Sequence, residues 1–274
     1  MDLKPALGWD VTESPILLYD GTPVNDYKAL VRNDTNLPLC VTSKKYTPFT
    51  NHQFATLSEE IGKIAKFPEI NYQEVKDGKI VLAYLKNPDS KMKIGGFQIK
   101  DYMIIGNSFN GQTGLFLGTS NIVLRCANQF GRIYRGIRIR HTVNISERVE
   151  ALKQTVQMYF DERDRMYQKM EMFTNVKVDD EIIDECILYV LNLHDQEKLE
   201  DRSTRRNNQI RIIKNHIIAE TAEVGQNAWG LFSGFTHFTT HGVNQRKNNT
   251  FGNLFGSVGS INERAFEFAE MLLK

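Results

Sequence analysis

Apolar and polar residues alternate along the first half of the chain and recur every three or four positions along the second. Ile16-Leu-Leu-Tyr19, Asp20-Gly21 and Thr22-Pro-Val24 have the form of a hairpin around an Asp-Gly turn. Leu39 to Thr42 reads as another short strand. Thr50 is placed to cap a helix of about 15 residues in which Phe54, Leu57, Ile61 and Ile64 form an apolar stripe. Asn71–Lys76 and Lys79–Leu85 flank Asp77-Gly78 as a further hairpin. Phe97–Gly106, Leu115–Gly118 and Asn121–Cys126 follow as strands, and Arg132–Thr142 closes this half.

Past Thr142 the period changes to that of a helix. Asn144, with Glu147 three residues later, predicts a capping box. Ile145, Val149, Leu152, Val156, Tyr159, Arg163, Met166, Met170 and Phe173 then recur at alternating spacings of four and three, all apolar except Arg163. The pattern predicts one helix approaching 30 residues, roughly 45 Å long at 1.5 Å per residue. Such a length favours a coiled-coil or subunit contact, so a homo-oligomer joined through the 145–173 helix is expected. Asp179–Leu193 and Ser203–Val224 predict two more helices, Gln226–His241 a buried aromatic one, and Ser260–Leu273 a closing amphipathic one. Strands first and helices after predict an α+β fold, with a single domain over 1–274 that is strand-rich to 143 and helical from 144.

Composition adds limits. The 274 residues are 41% hydrophobic and 24% charged, ordinary for a folded protein. No apolar run reaches the length of a membrane span, and the first residues lack the basic and apolar regions of a secretory signal. A cytoplasmic protein without membrane contact is expected. Cys40, Cys126 and Cys186 are far apart and odd in number, which fits reduced thiols better than a disulfide framework.

Charge is informative through its distribution, because the net value is only +1. Arg125 to His141 holds five arginines, one tyrosine and no acid. Glu147 to Glu200 carries fourteen acids against seven bases, and Arg202 to His216 returns to four arginines, one lysine and no acid. If Arg132–Arg140 is extended, Arg132, Tyr134, Arg138 and Arg140 share one face, and Ile133, Ile137 and Ile139 the other. Guanidinium groups fork onto phosphate oxygens and a tyrosine stacks on a base, which suits a single-stranded nucleic acid. The alternative is a solvated strand face paired with Glu147 and Glu150 of the neighbouring acidic helix. The candidate nucleic-acid-binding set is Arg125, Arg132, Tyr134, Arg135, Arg138, Arg140 and His141, joined by Arg205, Arg206, Arg211 and Lys214 of the second island. Arg246 and Lys247, in the polar segment Asn244–Asn253, are placed to add to the same surface, the alternative being a loop that is basic for solubility alone.

Catalytic signatures are missing. His237 and His241 have the i,i+4 spacing of two metal ligands, but Phe238 stands where His-Glu-x-x-His requires glutamate, and no third ligand is near in sequence. Gly111, Gly114 and Gly118 match neither a Walker loop nor Gly-x-Gly-x-x-Gly, there is no Gly-x-Ser-x-Gly elbow, and Asp89 and Asp101 are isolated from other acids. No enzyme activity, metal or cofactor is expected.

Four segments carry a resemblance. Tyr46-Thr-Pro-Phe-Thr-Asn51, Gly106-Asn-Ser-Phe-Asn-Gly111, Val123-Leu-Arg-Cys-Ala-Asn128 and Trp229-Gly-Leu-Phe-Ser-Gly-Phe-Thr-His237 with His241 resemble a family of phage- and plasmid-borne proteins known as domain of unknown function 932. The chain departs from it at Asn110, where aspartate is more usual, and at Ser233, where asparagine is expected. The family implies a mobile-element setting and brings no catalytic residues. The order of elements is also similar to that of phage single-strand annealing proteins. That resemblance implies an antiparallel, strongly curved N-terminal sheet with one packed helix, then a long helix and a C-terminal helical part, assembled as a ring with a basic groove. The expected function is single-stranded DNA (or RNA) binding and annealing in recombination or replication. The alternatives are a protein-binding effector that counters host defence, or a virion component.

Overall fold

The computed structural model describes residues 7–86, 92–123, 129–141, 144–193, 203–242 and 256–274, with the backbone only at 120–123, 129, 131–137 and 146. The fold is α+β, with antiparallel sheets and seven α-helices among the described residues. Strands β1 (Val11–Leu17), β2 (Pro23–Arg32) and β3 (Pro38–Ser43) form an open sheet in that order. The Asp-Gly turn between β1 and β2 is closed by the Thr22 N–H, which donates to Asp20 Oδ1 at 2.9 Å. A second sheet runs β4 (Glu69–Val75), β5 (Ile80–Lys86), β7 (Phe97–Ser108), β8 (Leu115–Val123), β9 (Gln129–Ile139), with β6 (Lys93–Ile94) paired to β7. The β4–β5 hairpin turns through Lys76, Asp77 and Gly78, all at positive φ. The two strands expected over 115–118 and 121–126 are one strand as far as Val123; residues 124–128 lie outside the described residues.

Helix α1 (Asn51–Ala65) begins with the capping box of Thr50 and Gln53, and the Asp10 carboxylate also accepts the N–H groups of Asn51 and His52. Its buried face is Phe54, Leu57, Ser58, Ile61 and Ala65, while Ile64, read as part of the stripe, is exposed.

The long helix predicted over 145–173 is divided into α2 (Ile145–Gln154) and α3 (Val156–Phe173). The break falls at Thr155. Its N–H donates to the Leu152 carbonyl at 2.9 Å, three residues back, and its hydroxyl donates to the same oxygen at 2.7 Å. A threonine hydroxyl competes in this way with the regular helical ladder. Asn144 occupies the N-cap position of α2 without a side-chain cap bond. Its φ of −91° and ψ of 26° are far from the extended backbone that aims a cap side chain at the first turn. Helices α4 (Asp180–Leu191), α5 (Thr204–Val224), α6 (Ala228–His237) and α7 (Ser257–Met271) follow, with a π-helical turn at Phe238–Gly242 directly after α6. No helix among the described residues is long and apolar enough to cross a membrane.

The chain forms two compact units. The first is 1–89, 102–119 and 133–161; the second is 90–101, 120–132 and 162–274. Each draws on strands and helices, so the units do not follow the 143/144 boundary. In the first, the buried face of α1 shares one core with Val81, Ala83 and Leu85 of β5, Met103 and Ile105 of β7, and Ile139. In the second, Phe130 stacks on Phe266 with rings 12° apart and meets Phe232 edge-on. Phe173, Phe235, Ile213 and Ile217 complete this core.

The stripe of α2 and α3 is buried inside the chain: Ile145, Val149, Leu152, Val156 and Tyr159 in the first core, Met166, Met170 and Phe173 in the second. It is therefore not the exposed seam on which a subunit contact was expected. Arg163, the polar exception in that stripe, donates to Asp101 Oδ2 at 3.1 Å, and the Tyr167 hydroxyl donates to Asp101 Oδ1 at 2.7 Å. Asp101 is buried, and a buried carboxylate needs such partners.

Candidate nucleic-acid interface

The basic strand ends in the first unit, where its alternation is visible. Arg138 and Arg140 are exposed, and Ile139 between them is buried in the core. One Arg138 Nη donates to the Gln112 carbonyl at 3.3 Å. Among the described residues no carboxylate pairs with either arginine, and Glu150 instead pairs with Lys153, which also reaches Glu60. The strand is held close to the start of β8. A Cβ placed on Gly114 would lie 1.9 Å from the Ile139 carbonyl oxygen, so only glycine allows this approach.

His141, expected among the surface cations, is 7% exposed. Its Nδ1 lies 2.5 Å from the Tyr46 hydroxyl, which also contacts the Ser108 carbonyl at 3.0 Å. A carbonyl only accepts. Tyr46 therefore donates its one proton to Ser108, and His141 Nδ1–H donates to the tyrosine oxygen. Burial pushes the His141 imidazole down to about 4, so it is neutral at pH 7 and cannot hold a phosphate by charge. Burial likewise raises Tyr46 above the ordinary phenol range. Nearby, Cys40 donates to the Phe109 carbonyl at 2.8 Å, with its thiol raised by burial, and Asn107 Nδ2 donates to the Phe49 carbonyl at 2.8 Å.

These bonds join two of the four segments singled out in the sequence to the end of the basic strand. Tyr46 and Phe49, then Asn107, Ser108 and Phe109, then His141 meet at one place in the first unit. Phe109, Phe116 and Phe130 are buried and so offer no ring face for a base to stack on. Arg125 lies outside the described residues. Arg132, Tyr134 and Arg135 lie on β9 where only the backbone is described.

The second island lies on α5, in the second unit. Arg205 and Arg211 are exposed, Arg206 donates to Gln209 Oε1 at 3.1 Å, and Lys214 pairs with Asp184 at 2.6 Å. Arg211 and Lys214 border a groove of about 540 Å³ that also contains Ile187, Leu188, Ile210 and Ile218. Arg246 and Lys247 lie outside the described residues.

The same unit assembles a cluster that the sequence showed only in part. His237 Nδ1 is 3.2 Å from His216 Nδ1 and 3.4 Å from Glu220 Oε1, and the His237 and His241 rings are 4.8 Å apart. His216 and Glu220 were missed. Their own i,i+4 spacing on α5, matching that of His237 and His241, was the signal available. Among the described residues no three histidine, cysteine or acidic side chains are arranged to hold a metal ion.

Comparison with known proteins places the chain in a family without assigning a reaction. No curated protein and no solved structure matches it. Residues 38–254, which span the Tyr46–His141 contacts and both basic islands, match the family described as Domain of unknown function (DUF932), and the chain belongs to that family.

Proposed function

We propose that the protein binds single-stranded nucleic acid through the end of β9 and acts by holding the strand, without catalysis. The observation that carries this reading is the exposed pair Arg138 and Arg140, which has no described carboxylate partner and stands on a strand anchored by buried Ile139 and His141. Guanidinium groups without acidic partners are available for bidentate contact with phosphate oxygens, and anchoring their strand lowers the cost of ordering them. Neutralising phosphates lets two strands approach while their bases remain accessible for pairing. Annealing in recombination or replication, and the phage or plasmid setting, belong to the same proposal and rest on the sequence resemblance.

The test is oligonucleotide affinity across a salt series. Binding should weaken with salt at a slope of about −0.7 per phosphate contact on single strands, and Arg138→Ala/Arg140→Ala should flatten that slope by one to two contacts. An unchanged affinity and slope in the double variant would sink the reading. A second reading, a protein-binding effector, has its own support in the β1–β2 turn, where Leu17 is 58% exposed, Leu18 56% and Tyr19 fully. Leu18→Ser/Tyr19→Ser should leave the salt slope intact under the first reading and abolish capture of a protein partner under the second.

A further inference from the structure

We propose that His216, Glu220, His237 and His241 form an acid-sensitive latch that holds the π-helical turn 238–242 against α5 at neutral pH and releases it on acidification. The turn is built around His216. The His216 ring meets the Phe238 ring edge-on at 5.8 Å, and a Cβ on Gly242 would lie 2.6 Å from His216 Nε2. A π turn lacks the regular i→i−4 ladder, so side-chain contacts carry more of the work of holding it, and such turns recur at functional positions.

Among the described residues, the titratable groups facing the cluster are its own members. From α5 come His216 and Glu220, from α6 His237, and from the turn His241. From α7 the described contact with the turn is uncharged, the Thr239 hydroxyl donating to Asn262 Oδ1 at 2.9 Å. One proton on His237 forms an ion pair with Glu220. Any further proton places a second cation beside the first, with Glu220 the described carboxylate in contact, since the His216 and His237 rings are 4.8 Å apart. His216 accordingly sits below the ordinary imidazole range, through burial first and then His237 and His241.

The sign follows from that direction. A released His216 takes up protons near 6.5, whereas the latched one resists them. The latch is therefore closed above that range and loses stability as pH falls below it. Amide hydrogen exchange of residues 238–242, measured without nucleic acid and expressed against the unstructured rate at each pH, should show protection falling severalfold between pH 7.5 and 5.5. His216→Gln should remove most of that dependence, and Glu220→Gln, which deletes the counter-charge, should move the onset to higher pH. Constant protection in the parent protein, the same pH dependence in His216→Gln, or an unmoved onset in Glu220→Gln would each overturn the latch.

Discussion

His141 is a histidine whose surroundings keep it neutral. Its imidazole titrates at about 4 in the folded protein because it is buried against Tyr46, while an unfolded chain has the ordinary value near 6.5. Between those values the unfolded state binds the additional proton, so stability is present above about 6.5 and is lost as pH falls toward 4. At pH 5.0 the loss is about 2 kcal/mol, following the linkage relation for one group. Urea unfolding of the parent and of His141→Gln at pH 7.5 and 5.0 tests this. The variant should be less stable at pH 7.5 but should lose about 2 kcal/mol less on acidification. An equal loss in both proteins would mean that His141 is not held neutral. The same residue shows how chain neighbours mislead: among arginines it reads as a surface cation, yet its partner lies 95 positions earlier.

At the scale of elements, close approach and local competition shape what the patterns begin. Gly114 leads into β8 with no room for a side chain beside the Ile139 carbonyl. Gly114→Ala should therefore force the end of β9 outward, costing about 3 kcal/mol as overpacking does, and weaken oligonucleotide binding by moving Arg138 and Arg140. Thermal unfolding and a binding titration check both effects, and a variant that melts and binds like the parent would remove this contact from the account. Thr155 is the corresponding case in a helix. Ile145 to Phe173 keep an apolar period interrupted at Arg163, yet the helix divides at Thr155, whose N–H and hydroxyl both bond the Leu152 carbonyl.

At the scale of the whole molecule, single elements supply both cores. β7 provides Ile99 to the second core and Met103 and Ile105 to the first; the stripe continued along α3 is divided in the same way. In the second core Phe266 contacts Phe130, Phe173 and Phe232. Phe266→Ala should cost about 3–5 kcal/mol, as truncating a buried aromatic does. Chemical denaturation followed at Trp229, in the same core, reads the loss, and a change under about 1 kcal/mol would mean the ring is poorly packed there. With a net charge of only +1, the molecule has no large overall field to steer a polyanion, so attraction has to come from local sites such as Arg138 and Arg140.

The sequence by itself determined most of the strands and helices, though not residues 11–15 of β1, 25–32 of β2 or the short β6, together with the two Asp-Gly turns, the Thr50 cap and the α+β order. Period, turn dipeptides and caps act between residues a few positions apart, so linear spacing carries them. It also determined that Arg138 and Arg140 share a face and Ile139 the opposite one. Only the tertiary structure decided that His141 is buried on Tyr46, that Arg163 answers Asp101, that the long apolar stripe is covered within the chain, and that His216 and Glu220 join His237. Each of those depends on a partner 17 to 95 positions away, or on the solvent excluded by packing. Burial and distant charge set protonation and exposure, and neither is a property of local spacing.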